Sequence, residues 1–285
     1  MITVKNLRFT YPGAVEEVLR GLDFTVERGE IFGFLGPSGS GKSTTQKILY
    51  RLLTGYDGTV TVDGSDLSGL GRAYFHQIGV GFELPNHYLK LSGRENLKLF
   101  SQFYRPEKLR EMDELFDRVG LLPDADRKVE GYSKGMKMRL NFIRALLHDP
   151  DILFFDEPTS GMDPGNAMRI KELILELREQ GKAIFITTHN MFTADQLCDR
   201  VAFIDKGNLV AMDSPKQFKL DHGKHRVRVE LVGEKIGAAH EYAVEGIGEN
   251  GDFLNLIREN EVKTIHTMEA TLEEVFLKLT GKELN

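Results

Sequence analysis

The stretch Gly36-Pro-Ser-Gly39-Ser-Gly41-Lys42-Ser43 decides the fold class of this chain. It follows the apolar run Ile31 to Leu35 and precedes a predicted helix from Thr44 to Leu53, so a strand, a glycine-rich loop and a helix come in order. The glycines permit backbone angles that turn successive N–H groups inward, at the positive end of a helix, where phosphate oxygens bind. The pattern predicts a nucleotide site in which Lys42 reaches the outer phosphates and Ser43 holds Mg²⁺.

Composition and charge narrow the class of protein. The chain has 285 residues, of which 41% are apolar, and this suits one large domain or one domain with an appendage. A net charge of −6 argues against a surface that coats nucleic acid. Cys198 is the only cysteine, which excludes an intrachain disulfide and fits a reducing compartment.

The start of the chain lacks the layout of a signal peptide, and every apolar run is far shorter than the roughly 20 residues of a membrane span. We therefore expect any span to come from another chain.

The order of the elements predicts an α/β fold. Short strands with glycine turns extend from Met1 to about Leu84, a helical pattern follows, and strands alternate with helices from Asp151 to Asp205. Such alternation indicates a parallel sheet, and ligands of parallel sheets lie at the carboxyl ends of the strands.

The composition changes towards the carboxyl end of the chain, where no nucleotide motif remains. Arg226 to Leu231 alternates like a half-exposed strand, and Thr271 with Glu274 predicts a capping box at the start of a helix. We predict a nucleotide-binding domain over residues 1–218, a helical insertion within it at about 85–147, and a small α+β appendage over residues 219–285.

Two acids end the apolar strand Ile152 to Asp156. Asp156, at the strand tip, is placed to hold Mg²⁺ opposite Ser43, and Glu157 is placed to orient or deprotonate a water in line with the γ-phosphate. The alternative is an acid that only caps the next turn. Phosphoryl transfer depends mainly on positioning and charge neutralisation, so a lysine, a metal and one acid suffice, and the phosphate loop favours the catalytic interpretation.

Further motifs follow in an order that resembles the ATP-binding cassette (ABC) ATPases. The stretch Gly131-Tyr132-Ser133-Lys134-Gly135-Met136-Lys137 resembles a variant of the family signature, from which Tyr132, Lys134 and Met136 depart. In the family this loop contacts the γ-phosphate bound to the opposite subunit, so the resemblance assigns that contact to Ser133 and Gly135. The alternative for Ser133 is an ordinary helix cap.

Three single residues also match the family. Asp163, in Ser160-Gly161-Met162-Asp163, resembles the aspartate that helps connect the two sites of a dimer. The alternative is a cap of the helix that begins at Pro164, and the two roles are compatible. His189 resembles the switch histidine that touches the γ-phosphate, and Tyr11 resembles the aromatic residue that stacks on adenine. The structural alternatives are a lone histidine at a strand end and an exposed tyrosine in a turn. The expected contacts of the phosphate loop are Gly36, Pro37, Ser38, Gly39, Ser40, Gly41, Lys42, Ser43 and Thr44.

Glu83 departs from the family pattern. It stands where the family usually has glutamine, between a strand and the helical insertion. A carboxylate there can still face Mg²⁺ or a water, but it adds negative charge beside a triphosphate. We therefore include Glu83 among the expected metal-binding residues, with Ser43 and Asp156, and expect it to make nucleotide binding more dependent on the metal.

The resemblance extends over about Met1 to Pro215, and the tail from Thr271 to Gly281 is similar to that of exporter-type ABC ATPases with a separate membrane subunit. It implies a P-loop NTPase core with a parallel-rich sheet and N-terminal antiparallel strands. It also implies an ATPase that binds ATP and Mg²⁺, with Lys42, Glu157 and His189 as catalytic residues.

The expected partners are a second copy of the chain, or a homologous ATPase subunit, in a head-to-tail dimer, together with integral membrane permease subunits. The expected location is the cytoplasmic face of the cell membrane, reached only through those subunits. Two rival functions remain: a cytosolic ABC-type ATPase that acts on nucleic acid or ribosomes, which the acidic balance disfavours, and a regulatory module without turnover, which Glu157 disfavours.

Overall fold

The computed structural model describes residues 1–105, 109–222, 226–233, 235, 238–268 and 270–281. Residues 106–108 of the predicted helical insertion, and the remaining gaps in the predicted appendage, lie outside the described residues. The chain divides into two compact units, Met1–Asp213 and Ser214–Glu283. We describe each unit by itself.

The first unit is a mixed α/β structure. Its strands are β1 (Ile2–Phe9), β2 (Leu19–Val26), β3 (Ile31–Leu35), β4 (Asp57–Val62), β5 (Ser65–Asp66), β6 (Ile78–Gly81), β7 (Ile152–Asp156), β8 (Ala183–Thr188), β9 (Arg200–Asp205) and β10 (Asn208–Asp213). Its α-helices are α1 (Lys42–Leu49), α2 (Gly93–Ser101), α3 (Met112–Arg118), α4 (Lys134–Leu146), α5 (Pro164–Glu179) and α6 (Met191–Leu197). Short 3-10 turns cover Leu67–Gly69, Arg72–His76, Leu122–Asp124 and Val129–Gly131.

A six-stranded sheet forms the centre of this unit. Its order is β10-β9-β3-β8-β7-β6, with neighbours from β9 to β6 parallel and β10 antiparallel at the edge. All residues of β3 and β8 are buried, as expected for strands covered on both faces. The prediction of an α/β fold with a parallel-rich sheet is confirmed.

A second, antiparallel sheet has the order β2-β1-β4-β5 and confirms the expected N-terminal antiparallel strands. The two sheets share one apolar core. In that core the ring of Phe24 from β2 stacks on Phe32 of β3, with ring centroids 5.5 Å apart. This packing holds β3 rigidly, and the phosphate loop starts where β3 ends.

The helix after the phosphate loop is shorter than the sequence predicts. It covers Lys42–Leu49 rather than extending to Leu53. Arg51 adopts φ 62°, in the left-handed region, which ends the helix. The apolar pattern continues to Leu53 because that side chain packs against the core from outside the helix.

The helical insertion lies between β6 and β7 and contains α2, α3 and α4. Ser92 and Glu95 form a capping box at the start of α2. Among the described helices of the chain, none is long and apolar enough to cross a membrane.

The second unit is a small α+β structure. Its elements are α7 (Pro215–His222), β11 (Arg226–Leu231), β12 (His240–Ala243), α8 (Gly251–Glu259), β13 (Val262–Met268) and α9 (Leu272–Thr280), with a 3-10 turn at Ile247–Glu249. The strands form an antiparallel sheet in the order β12-β11-β13. Val229 of β11 is fully buried, in a cluster that includes Phe253 and Leu256 of α8. The predicted strand at Arg226–Leu231 and the predicted capping box of Thr271 and Glu274 are both present.

Candidate active site

The phosphate loop connects β3 to α1 and needs its glycines. Gly39 has φ 77° and Gly41 has φ 111°, both in the left-handed region that favours glycine. A Cβ at Gly36 would lie 2.1 Å from the carbonyl oxygen of Ile204 on β9, so only glycine allows this approach. The loop is therefore held by close packing against the central sheet.

Lys42 begins α1 and folds back over the loop. Its Nζ donates hydrogen bonds to the carbonyl oxygens of Gly36, at 2.7 Å, and Pro37, at 2.9 Å. Burial lowers the pKa of Lys42, while the nearby carboxylates of Glu157 and Asp156 act in the opposite direction. The ammonium group thus lies among the loop carbonyls and the acids at the strand ends.

A cleft of about 550 Å³ opens beside this loop. It brings together most of the residues that the sequence predicts for the site. The lining residues are Tyr11, Val18, Ser38, Gly39, Gly41, Lys42, Ser43, Thr44, Glu83, Asp156, Glu157 and His189.

Asp156 ends β7 and faces the cleft. Its Oδ1 accepts a hydrogen bond of 2.5 Å from Oγ1 of Thr187, the residue beside it in the parallel register of β7 and β8. Burial raises the pKa of Asp156, and the carboxylates of Glu83 and Glu157 act in the same direction. A half-buried carboxylate crowded by like charges is well placed to bind a cation.

Glu157 is the most constrained acid of the cleft. It adopts φ 49°, which is unusual for a residue with a side chain, and it is only 9% exposed. Its Oε2 accepts a hydrogen bond from Oγ1 of Thr188 at 2.8 Å, and its Oε1 accepts one from the backbone N–H of His189 at 2.8 Å. Strained conformations of this kind persist where the surroundings fix them, and they cluster at active sites.

His189 completes this acidic end of the cleft. Its Nδ1 lies 2.6 Å from Oε1 of Glu157, within hydrogen-bond distance, and about two thirds of its side chain is exposed. Because the glutamate carboxylate accepts, Nδ1 carries the hydrogen in this bond, which leaves Nε2 directed away from Glu157.

Tyr11 also lines the cleft. Its hydroxyl is 3.1 Å from Oγ1 of Thr44 on α1, and its ring packs edge-on against Phe9, with centroids 5.0 Å apart. The half-buried ring presents a flat aromatic surface next to the phosphate loop.

Gly36, Pro37 and Ser40 do not line the cleft. They support the loop instead: the first two accept the hydrogen bonds of Lys42, and the carbonyl oxygen of Ser40 accepts one from the N–H of Gly207 at 2.9 Å.

The structure does not bring Ser133, Gly135 and Asp163 into the cleft. Ser133 caps α4 by accepting a hydrogen bond from the N–H of Met136 at 3.2 Å. Asp163 caps α5 through the N–H of Asn166 at 3.1 Å, and the hydrogen bonds from Asn166 hold the pKa of Asp163 below its ordinary value. Both capping alternatives of the sequence analysis are therefore present. A Cβ at Gly135 would lie 3.5 Å from the carbonyl oxygen of Gly161, so the starts of α4 and α5 are neighbours.

Sequence reasoning missed several residues of the site. Thr187 and Thr188 hold the two acids, and Val18 lines the cleft. Asn141, which is buried in α4, donates a hydrogen bond of 2.8 Å to the carbonyl oxygen of Phe82, the residue before Glu83. The two threonines end β8, a buried strand that pairs with β7, the strand that ends at Asp156. Their place at the end of an apolar strand is the sequence signal that could have predicted them.

Comparisons with known proteins agree with this geometry. Residues 19–160 match the family described as ABC transporter, and residues 225–269 match the fluoroquinolone efflux ABC transporter C-terminal domain. The whole chain is 50% identical to a fluoroquinolones export ATP-binding protein of Mycobacterium tuberculosis and covers 94% of that protein. It is also 35% identical to the Nod factor export ATP-binding protein I of Rhizobium meliloti, over 94% of this chain and 84% of that one.

Solved structures share the fold over about three quarters of the chain. An ATP-binding subunit of an ABC transporter matches with a TM-score of 0.70 and 27% identity, over 78% of this chain and 92% of that one. A dimeric ATP-binding cassette in a post-hydrolysis state, bound to ADP and Pi, matches with a TM-score of 0.67 and 26% identity, over 75% of this chain and 98% of that one. The chain therefore belongs to the ABC transporter family, as an ATP-binding and ATP-hydrolysing subunit.

Proposed function

We propose that ATP binds in the cleft of the first unit and that this chain hydrolyses it to drive export through separate membrane subunits. The proposal rests on one observation: Lys42, Asp156, Glu157 and His189 surround a single cleft beside a glycine-rich loop. In this assignment the loop N–H groups and Lys42 bind the phosphates, and Tyr11 stacks on the adenine.

We assign Mg²⁺ to Ser43 and Asp156, with Glu83 as an additional carboxylate. The fit is chemical: a hydroxyl and carboxylate oxygens line the same cleft, and oxygen is the ligand that Mg²⁺ prefers. When bound, the metal neutralises charge on the phosphate oxygens.

Glu157 is the proposed general base. Its fixed carboxylate can orient and deprotonate a water for attack on the γ-phosphate, and His189 is placed to contact that phosphate. Thr188 and the His189 N–H hold the carboxylate in one orientation, which is the positioning that phosphoryl transfer requires.

We propose that the site is completed by a second ATPase subunit, either a copy of this chain or a homologous chain. Ser133, Gly135 and Asp163 lie at the starts of α4 and α5, outside the cleft. A head-to-tail dimer with two-fold symmetry would bring these residues of one subunit to the ATP held by the other.

The proposed membrane partner docks on the start of the helical insertion and on the residues just before it. A groove of about 830 Å³ in the first unit is lined by Phe75, Phe82, Leu84 and Tyr88, whose side chains are exposed. Exposed apolar patches of this kind suit a protein partner.

We place the chain at the cytoplasmic face of the membrane, where this contact with the membrane partner holds it. We also propose that residues 1–218 and residues 219–285 are its two functional domains.

The proposed cargo class is the fluoroquinolones or similar aromatic small molecules. It is supported by the identity of 50% over the whole chain to a fluoroquinolones export ATP-binding protein, and by the match of residues 225–269 to a C-terminal domain described for fluoroquinolone efflux.

The test is reconstitution of the ATPase with its membrane subunit in proteoliposomes. We expect a fluoroquinolone to stimulate ATP hydrolysis and to be moved in an ATP-dependent way, with the Glu157→Gln variant as the inactive control. ATP hydrolysis that no fluoroquinolone changes, without transport, would contradict the cargo assignment. Absence of ATP hydrolysis in the assembled complex would contradict the function itself.

A further inference from the structure

The backbone that carries Glu83 is held from two sides. The ring of Phe82, the residue before it, packs edge-on against Tyr50, with centroids 5.9 Å apart. The carbonyl oxygen of Phe82 accepts the hydrogen bond from Asn141 of α4. Glu83 therefore projects into the cleft from a fixed point rather than from a free loop, and its position relative to the phosphate loop is defined.

The carboxylate of Glu83 has no structural role in the part of the chain that the structure describes. Asp156 is held by Thr187, and Glu157 by Thr188 and His189. For Glu83, no hydrogen bond or ion pair to another described residue occurs, and the side chain is exposed. Its charge is thus available to whatever enters the cleft.

The cleft carries a surplus of negative charge. Three carboxylates, those of Glu83, Asp156 and Glu157, line it together with one ammonium group, that of Lys42. Burial lowers the pKa of Lys42 and raises that of Asp156, and Glu83 is close enough to act on both by charge, against burial at Lys42 and with it at Asp156. ATP without a metal carries several negative charges to this place, so Glu83 opposes its entry. A bound divalent cation offsets that repulsion, because its positive charge lies beside the same carboxylate.

We propose that Glu83 makes this site selective for the magnesium complex of ATP over free ATP. The inference rests on the proposed function of the cleft and adds a specificity role for one side chain. Glu83 repels the bare nucleotide, and a bound cation offsets that repulsion. An amide at this position has no full charge and so repels the bare nucleotide much less.

The test compares nucleotide affinity with and without metal. A fluorescent, non-hydrolysable ATP analogue is titrated into the full-length protein in excess Mg²⁺ and, separately, in EDTA. We expect Glu83→Gln to bind the analogue about tenfold more tightly than the wild type in EDTA, and to change by less than about threefold in Mg²⁺. The ratio of the dissociation constant in EDTA to the dissociation constant in Mg²⁺ then falls about tenfold.

Two further variants separate charge from structure. Glu83→Asp keeps the charge and should retain a ratio close to that of the wild type. Glu172→Gln, which removes an exposed glutamate on α5 outside the cleft, should leave the ratio unchanged.

The outcomes are distinguishable. If Glu83→Gln has the same ratio as the wild type, or does not bind more tightly in EDTA, the role of Glu83 is overturned while the ATP site stands. If the wild type does not bind the analogue even in Mg²⁺, the proposed function of the cleft itself fails.

Discussion

His189 and Glu157 form one hydrogen-bonded unit. Oε1 of Glu157 accepts both the backbone N–H of His189, at 2.8 Å, and the hydrogen of its Nδ1, at 2.6 Å. The strand end that carries the histidine thus also positions the proposed general base. The imidazole remains largely exposed, with Nε2 directed away from Glu157, so one side chain can touch a ligand while the other orients a water.

We expect His189→Ala to lower the rate constant of ATP hydrolysis by about 10²- to 10³-fold, the range for removing one fixed donor that stabilises charge in the transition state. Nucleotide affinity should change by only a few fold, because the phosphate loop is untouched. Steady-state ATPase assays and titration with a non-hydrolysable analogue measure the two quantities. A loss confined to affinity would place His189 in binding rather than in turnover.

Lys42→Met is expected to weaken ATP binding by about 10- to 100-fold. The variant removes an ammonium group that would exchange its bonds to the Gly36 and Pro37 carbonyls for charge-assisted bonds to phosphate. Equilibrium titration gives the affinity. The matched control is Lys90→Met, which removes an exposed lysine paired with Glu130 and should bind ATP normally. Wild-type affinity in Lys42→Met would remove Lys42 from the phosphate site.

Asn141→Asp tests the tie between α4 and the segment that carries Glu83. The change removes the donor to the Phe82 carbonyl but keeps the oxygen that accepts a hydrogen bond from Arg144 at 2.6 Å. We expect a loss of about 1–3 kcal/mol in the free energy of unfolding, since the Phe82 carbonyl loses its donor and an acid replaces an amide that is almost fully buried. Denaturant unfolding measures it.

The control for this variant is Asn208→Asp, where an exposed amide donates to the Lys206 carbonyl, and there the loss should be below about 0.5 kcal/mol. Equal stability losses in the two variants would show that burial of the Asn141 bond does not matter.

Two buried histidines predict how stability depends on pH. Burial lowers the pKa of His87 and of His148 to about 4 from an ordinary value of 6.5. Each donates through Nε2 to a backbone carbonyl, His87 to Lys137 and His148 to Ile78. As the pH falls, the unfolded chain binds protons before the folded chain does, so the stabilising contribution is complete above about pH 6.5 and is lost towards pH 4.

We expect the free energy of unfolding to fall by the order of 1–3 kcal/mol per histidine across that window. The double variant His87→Gln/His148→Gln should show a flatter profile in denaturant unfolding between pH 7.5 and pH 4.5. His266→Gln, at an exposed strand position, should keep the wild-type profile. A profile in the double variant as steep as that of the wild type would rule out these histidines as the cause.

Much of the fold and of the cleft was predictable because local patterns determine it. Apolar strands that end at Leu35 and Asp156 must both deliver their next residues to the carboxyl edge of a parallel sheet, so the loop and the acids had to be neighbours. The capping box of Thr271 and Glu274 is likewise local, and it forms as predicted.

The residues and elements that the sequence did not predict depend on contacts between distant segments of the chain. Thr187 meets Asp156 because β7 and β8 pair in that register, and the register is set by burial across the whole sheet. Asn141 meets the Phe82 carbonyl across 59 residues of chain. In the second unit, all residues of β12, β13 and α8 are exposed or half-buried. Their sequences therefore lack the strong apolar periodicity from which a strand or helix is predicted.

The most direct test of the account is the Glu157→Gln variant. An amide of the same shape still fills the space between Thr188 and His189, but it cannot accept a proton from water. The account predicts that this variant binds ATP with Mg²⁺, does not turn it over, and accumulates as an ATP-dependent dimer in size-exclusion chromatography with light scattering. ATP hydrolysis at the wild-type rate by this variant would contradict the assignment of Glu157 as the general base.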